Sequence, residues 1–179
     1  MDSQTFMQLT DTSLKVGLGA VIAALVAWLV LWRSSPTQHN HSPRDNRRLH
    51  ILEDVSSQVG VITHIFAKYS SLATESIQFG DRWAPARRQE LDDVNSELVN
   101  EFRKLAEAEA KLLMLGEKNL ERSLRLYGAK IAVFRKHVYV GRKDISYEQI
   151  NALKLSVTQV REQFYDMLSR KYDRLLASA

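Results

Sequence analysis

Nineteen residues near the amino end, Leu14 to Trp32, constrain this chain more than any others: they read LKVGLGAVIAALVAWLVLW. From Val16 to Trp32 no charged or strongly polar side chain interrupts the run. A helix rising about 1.5 Å per residue carries the stretch roughly 28 Å, close to the ~30 Å hydrocarbon core of a bilayer. The nine Val, Leu and Ile side chains from Val16 onward, at about −0.3 to −0.6 kcal/mol each, supply on the order of −3 to −5 kcal/mol toward insertion. The expectation is a transmembrane helix over 14–32, preceded by a short extracytoplasmic tail at 1–13.

The flanks give that helix a direction. Ahead of it Asp2 and Asp11 oppose Lys15 alone, unlike the positive leader of a cleavable signal peptide, so the segment reads as an uncleaved anchor. Behind it come Arg33, Arg44, Arg47 and Arg48, and cations beside a span are retained on the cytoplasmic side. A single-pass protein follows, with its N-terminus outside and its remaining residues cytoplasmic. Trp28, Trp32 and Arg33 mark the inner interface, where an indole keeps its ring in the apolar region and its N–H among headgroups. Gly19, Ala23 and Ala27 form a small-residue packing stripe along which two such helices can approach closely, which leaves a homo-oligomer open.

Residues 33–42 follow as a flexible juxtamembrane linker; Ser34 to Ser42, SSPTQHNHS, is polar, contains proline and lacks apolar periodicity. His39 and His41, with His50 beyond, invite a metal reading, but no carboxylate or thiolate stands beside them in the loop. No metal site is assigned there.

From residue 43 to 179 the pattern is helical throughout. Ser42 can cap a first helix that has Pro43 in its first position and Asp45 beyond. Leu49, Leu52, Val55, Val59, Ile62, Phe66, Tyr69 and Ala73 recur at three- and four-residue steps, giving an apolar face that ends at Gly80. His64 lies near this face and is expected to be a hydrogen-bonded structural residue. A second segment from Pro85 to Leu115 aligns Leu91, Val94, Leu98, Phe102, Leu105 and Leu112, with Glu109 at the stripe's edge. Gly116 suits a stop, and Leu120, Leu124, Tyr127, Ile131, Phe134 and Val138 continue beyond it. Because the apolar phase nearly survives Gly116, a single long bent helix is the alternative to a break. Ser146 and Gln149 fit a capping box, with Ile145 and Ile150 as its hydrophobic staple. The final face runs through Ile150, Leu153, Val157, Val160, Phe164, Met167, Tyr172 and Leu175. The fold class expected is all-α: one N-terminal transmembrane helix followed by an antiparallel bundle of four helices, or of three if the second and third are one bent helix.

Charge is distributed unevenly along these segments. Glu90 to Glu109 holds seven acids against Arg103 and Lys104, a net of −5, whereas Lys118 to Lys143 holds eight cations against Glu121, a net of +7. The simplest consequence is that the basic third segment neutralises the acidic second across their interface. In an up-and-down bundle, Arg44, Arg47 and Arg48 join Arg170, Lys171 and Arg174 at the membrane end, where each cation near an anionic leaflet is worth about 1 kcal/mol. The opposite end, some 50 Å away at about 1.5 Å per residue, carries Arg135, Lys136, Arg142 and Lys143 as a surface for a protein partner. Nucleic acid is disfavoured as a partner, because only Tyr139 offers a stacking ring beside those cations.

The motifs that chemistry requires are missing. Gly17 and Gly19 lie inside the apolar run rather than after a strand, and there is no P-loop, nucleophile-elbow serine or HExxH helix. A di-iron bundle needs Glu-x-x-His pairs, and the nearest approach, His50 to Glu53, runs in the reverse order. With no cysteine in the chain, thiolate chemistry and cysteine-held zinc are excluded. The reading is a non-enzymatic protein without a cofactor, acting as an adaptor, scaffold or accessory subunit at the membrane. The alternative is a tethered sensor or effector whose bundle repacks or changes oligomeric state on binding a ligand, which requires a pocket between helices.

Overall fold

A computed structural model of the protein describes residues 43–177, and these form α-helices α1 (Pro43–Phe79), α2 (Pro85–Met114), α3 (Lys118–His137) and α4 (Tyr147–Ala177), with one 3-10 turn at Gly80–Arg82. There is no strand among the described residues. The 1–13 tail, the 14–32 span and the 33–42 linker lie outside them, and with these Gly19, Ala23, Ala27, Trp28, Trp32, Arg33 and the cap at Ser42. Within the described residues no helix is long and apolar enough to cross a membrane.

Helix α1 packs on α2 and α4, and α3 closes the ring by packing on the same two neighbours. The pairings are antiparallel: Glu75 meets Arg87 and Asp54 meets Lys111 across α1 and α2, while Ser56 meets Tyr165 and Glu53 meets Tyr172 across α1 and α4. A four-helix bundle is the result. Its near end gathers the start of α1, the α2–α3 turn and the close of α4; its far end gathers the α1–α2 connection and the α3–α4 loop.

The bent-helix alternative is overturned at Gly116. This residue has φ +77°, its N–H bonds to the Leu113 carbonyl at 2.9 Å, and the Glu117 N–H bonds to the Leu112 carbonyl at 2.9 Å. That pair of bonds is a Schellman stop, which satisfies the last carbonyls of α2 and needs a residue tolerant of left-handed backbone. The start of α4 is equally specific: the Ser146 N–H donates to Gln149 Oε1 at 3.0 Å and the Gln149 N–H donates to Ser146 Oγ at 3.2 Å.

One core runs the length of the bundle. All eight apolar positions expected of α1 are buried, and so are the six from Leu120 to Val138. Across the diagonal between α1 and α3, Phe66 meets Phe134 edge-on at 5.1 Å, and Tyr127 meets Thr63 at 2.8 Å. Because Thr63 Oγ1 already donates to the Val59 carbonyl at 2.7 Å, the Tyr127 hydroxyl is the donor in that pair. Toward its end α1 also buries Ser70, Thr74 and Ser76, whose hydroxyls bond back to Ala67, Ser70 and Ala73 of the same helix. Some expectations are corrected. His64 is exposed rather than a hydrogen-bonded residue at the core face, Phe102 of α2 is only half-buried, and in α4 Leu168 is buried while Leu153, Met167 and Tyr172 are only half-buried.

Candidate functional site

Two ends of the bundle and one seam carry the features on which a function can rest. At the near end, Arg44, Arg47 and Arg174 are exposed. Arg48 pairs with Asp45 at 3.7 Å, Arg170 donates through Nε to the Asp166 carbonyl at 2.9 Å, and Lys171 reaches Glu117 at 2.6 Å. The last contact ties α4 to the α2–α3 turn. All six of these cations therefore share one end. Over residues 43–54, 111–118 and 170–177, eight cations stand against Asp45, Glu53, Asp54, Glu117 and Asp173, a net of +3.

The same end exposes apolar side chains that the periodicity did not single out: Leu113 at 49%, Met114 at 80% and Leu176 at 41%. A signal was present in the sequence. Leu112 to Leu115 are four consecutive apolar residues, and at 3.6 residues per turn such a run encircles the helix, so all four cannot face the core. Leu112 is fully buried and Leu115 packs partly against the core, leaving the other two in solvent.

At the far end the four cations expected to form a partner surface divide into two pairs. Arg135 is half-buried, donating to Asn95 Oδ1 at 2.6 Å and standing 5.9 Å over the Tyr69 ring. Arg142 donates to the His137 carbonyl at 2.8 Å and to Asp144 Oδ1 at 3.0 Å, so it closes the end of α3. Its guanidinium holds the Asp144 carboxyl below the usual carboxylate range. Lys136 and Lys143 are exposed. Lys143 lines a recess of about 310 Å³ with Phe79, Arg88 and Val140. Beside it Glu75 accepts from buried Trp83 Nε1 at 3.0 Å and from Arg87 Nε at 3.1 Å, and these bonds hold its carboxyl below its ordinary pKa.

The neutralisation expected between α2 and α3 is realised at one place, where Arg125 lies 3.9 Å from Glu109 and also pairs with Glu121. Glu121 is buried at 3% exposure, which the sequence pattern missed. Burial, offset by Arg125, raises the pKa of Glu109, and the Glu121 charge adds to the rise. The other interhelix ion pairs of α2 run to α1 instead, through Lys68 with Glu90 at 3.2 Å, Glu75 with Arg87, and Asp54 with Lys111, while Glu101 pairs with Lys104 within α2. Asp92, Asp93 and Glu97 are exposed, because Leu91, Val94 and Leu98 take the core face between them.

The α1–α4 seam holds a groove of about 490 Å³ lined by Leu52, Ser56, Tyr165, Leu168 and Tyr172, among others. Two tyrosines bridge it: the Tyr165 hydroxyl donates to the Ser56 carbonyl at 3.2 Å and the Tyr172 hydroxyl to Glu53 Oε1 at 2.8 Å. Glu53 as acceptor raises the Tyr172 pKa. Among the described residues no group of three or more His, Asp or Glu could hold a metal ion. Comparison with protein-family models, with curated proteins and with solved structures returned no match for this chain.

Proposed function

We propose that this chain is a membrane-tethered adaptor, scaffold or accessory subunit, without enzymatic activity or cofactor, that acts through protein–protein interaction at the cytoplasmic face of the bilayer. The observation that carries this reading is the shared end: Arg44, Arg47 and Arg48 lie with Arg170, Lys171 and Arg174, where α1 joins the residues leading back to the apolar run at 14–32. The ten residues 33–42 reach at most ~35 Å when fully extended, so a span at 14–32 keeps this cationic end within that distance of the bilayer. Trp28, Trp32 and Arg33 set the inner interface in this scheme, and the stripe of Gly19, Ala23 and Ala27 is where two copies would meet. Tethering raises the effective concentration of the bundle beside membrane partners without any new contact.

The partner surface in this reading is the far end, reduced to exposed Lys136 and Lys143 with Tyr139 and Phe79 about 50% exposed beside them. Crosslinking in native membranes tests it. A discrete adduct that disappears in a Lys136→Glu, Lys143→Glu double variant is expected; an unchanged adduct pattern contradicts a role for this end.

The tethered sensor or effector is the second reading, and the α1–α4 groove favours it. That groove is apolar with a few hydroxyls and carboxylates, the lining a small amphipathic ligand requires. A Ser169→Trp variant, at an exposed position lining the groove, separates the two: it abolishes any ligand-dependent change in oligomeric state if the chain is a sensor and leaves adaptor crosslinks intact.

A further inference from the structure

We propose that the α2–α3 turn is a second, non-spanning membrane contact: Leu113 and Met114 seat in the interfacial layer of an anionic leaflet while the cations around them bind its headgroups. The inference rests on the tethered reading above and extends it from a passive anchor to a fixed docking of the bundle on lipid. Turns are ordinarily built from polar residues and glycine, and two adjacent exposed apolar side chains beside one leave apolar surface that a lipid interface can cover. Here the Schellman stop at Gly116 fixes the last turn of α2 and holds Met114 at 80% and Leu113 at 49% exposure.

Charge complementarity identifies the occupant. The net charge of +3 over residues 43–54, 111–118 and 170–177 puts cations that bind phosphate headgroups at the same end as the apolar tip, with Arg44, Arg47, Lys118 and Arg174 exposed among them. Exposed Leu176 adds a third apolar side chain, from the close of α4. An apolar tip at the same end as a cationic excess matches the layered chemistry of an interface, with acyl chains below and phosphates above. Membrane contact at the turn and at the 14–32 span together would restrict the bundle's tilt, since two attachments define an orientation that one tether cannot. Lys171, held to Glu117 at 2.6 Å, links the turn to α4.

The chain contains no cysteine, so Met114→Cys gives a single attachment point for an environment-sensitive fluorophore, and Lys143→Cys provides a control on the α3–α4 loop. Full-length protein carrying either label is reconstituted into vesicles with and without anionic lipid and washed with alkaline carbonate. The label at 114 is expected to shift to the blue, more strongly with anionic lipid, and to be quenched by lipids brominated near the headgroup; the label at 143 is expected to do neither. Chain retained through the wash with the 114 label as water-exposed as the 143 label overturns the second contact and leaves the anchor intact. Chain stripped by the wash overturns the anchor itself, and this proposal with it.

Discussion

At the scale of single residues, three glycines illustrate three different physical roles and give three different predictions. A Cβ at Gly60 would meet only the Tyr165 hydroxyl at 4.0 Å, so Gly60→Ala should stabilise the bundle by about 0.5–1 kcal/mol through reduced backbone entropy. At Gly128 the same atom would stand 2.9 Å from Leu105 Cδ2 and 3.5 Å from Phe102, inside the α2–α3 contact. Overpacking there, costing about 1–3 kcal/mol, outweighs the propensity gain of about 1 kcal/mol. Gly116 has open space around it but φ +77°, so Gly116→Ala should cost about 1–2 kcal/mol from backbone strain alone. Thermal unfolding of the detergent-solubilised chain should rank the four proteins with Gly60→Ala above the parent and the other two below. The sequence favoured a stop at Gly116, because glycine disfavours a helix interior, and left one bent helix as the alternative since the apolar phase nearly continues through it. It could not separate Gly60 from Gly128, since both sit in periodic segments and only the packed helices show which one admits a methyl group.

Glu109 makes a pH prediction at the same scale. Its folded pKa is raised, chiefly by burial, so the folded state holds its proton more tightly than the unfolded state. Stability from this group is complete below the ordinary carboxylate range and falls as pH rises through that range to the folded value. Glu109→Gln should therefore unfold at the same temperature as the parent or higher at neutral pH, with the difference vanishing in acid. A variant less stable than the parent at neutral pH would show that the contact with Arg125 outweighs the burial.

At the scale of elements, the apolar faces of α1 and α3 were legible in the sequence, and so was the start of α4. The capping box at Ser146 and Gln149 and the stop at Gly116 depend on residues within a few positions of each other, so local spacing suffices to read them. Ser146→Ala should cost about 0.5–2 kcal/mol, measured as a fall in unfolding midpoint. The connection between α1 and α2 was less readable. Glu75, Trp83 and Arg87 form one network there, joining residues eight and twelve apart that no helical periodicity relates. Because the Glu75 carboxyl is held below its ordinary pKa by Arg87 first and Trp83 second, its contribution is present above the carboxylate range and lost as pH falls through it. Glu75→Gln should lower the unfolding temperature at neutral pH, and acid should narrow that gap. The charge balance between α2 and α3 misled for a related reason: net charge per segment says nothing about which face carries it. Exposed Asp92, Asp93 and Glu97 contribute to the total without facing α3.

At the scale of the whole molecule, the antiparallel order of four helices follows from short connections between long amphipathic segments, and that order alone brings the beginning of α1 beside the close of α4. The shared end for Arg44, Arg47, Arg48, Arg170, Lys171 and Arg174 was therefore readable from chain direction. The division of the far-end cations was not, because whether Arg135 and Arg142 face outward depends on Tyr69, Asn95 and the His137 carbonyl, which are distant or unremarkable in sequence. The α1–α4 groove belongs to the same category, being shaped by Tyr165 and Tyr172 reaching across from one helix to the other.

The proposed function rests on the apolar run at 14–32 holding this bundle to a bilayer. Sedimentation of native membranes after an alkaline carbonate wash tests it most directly, using the full chain beside one lacking residues 1–42. The account predicts that the full chain stays in the pellet and the shortened chain leaves it, whereas full chain released to the supernatant would contradict it.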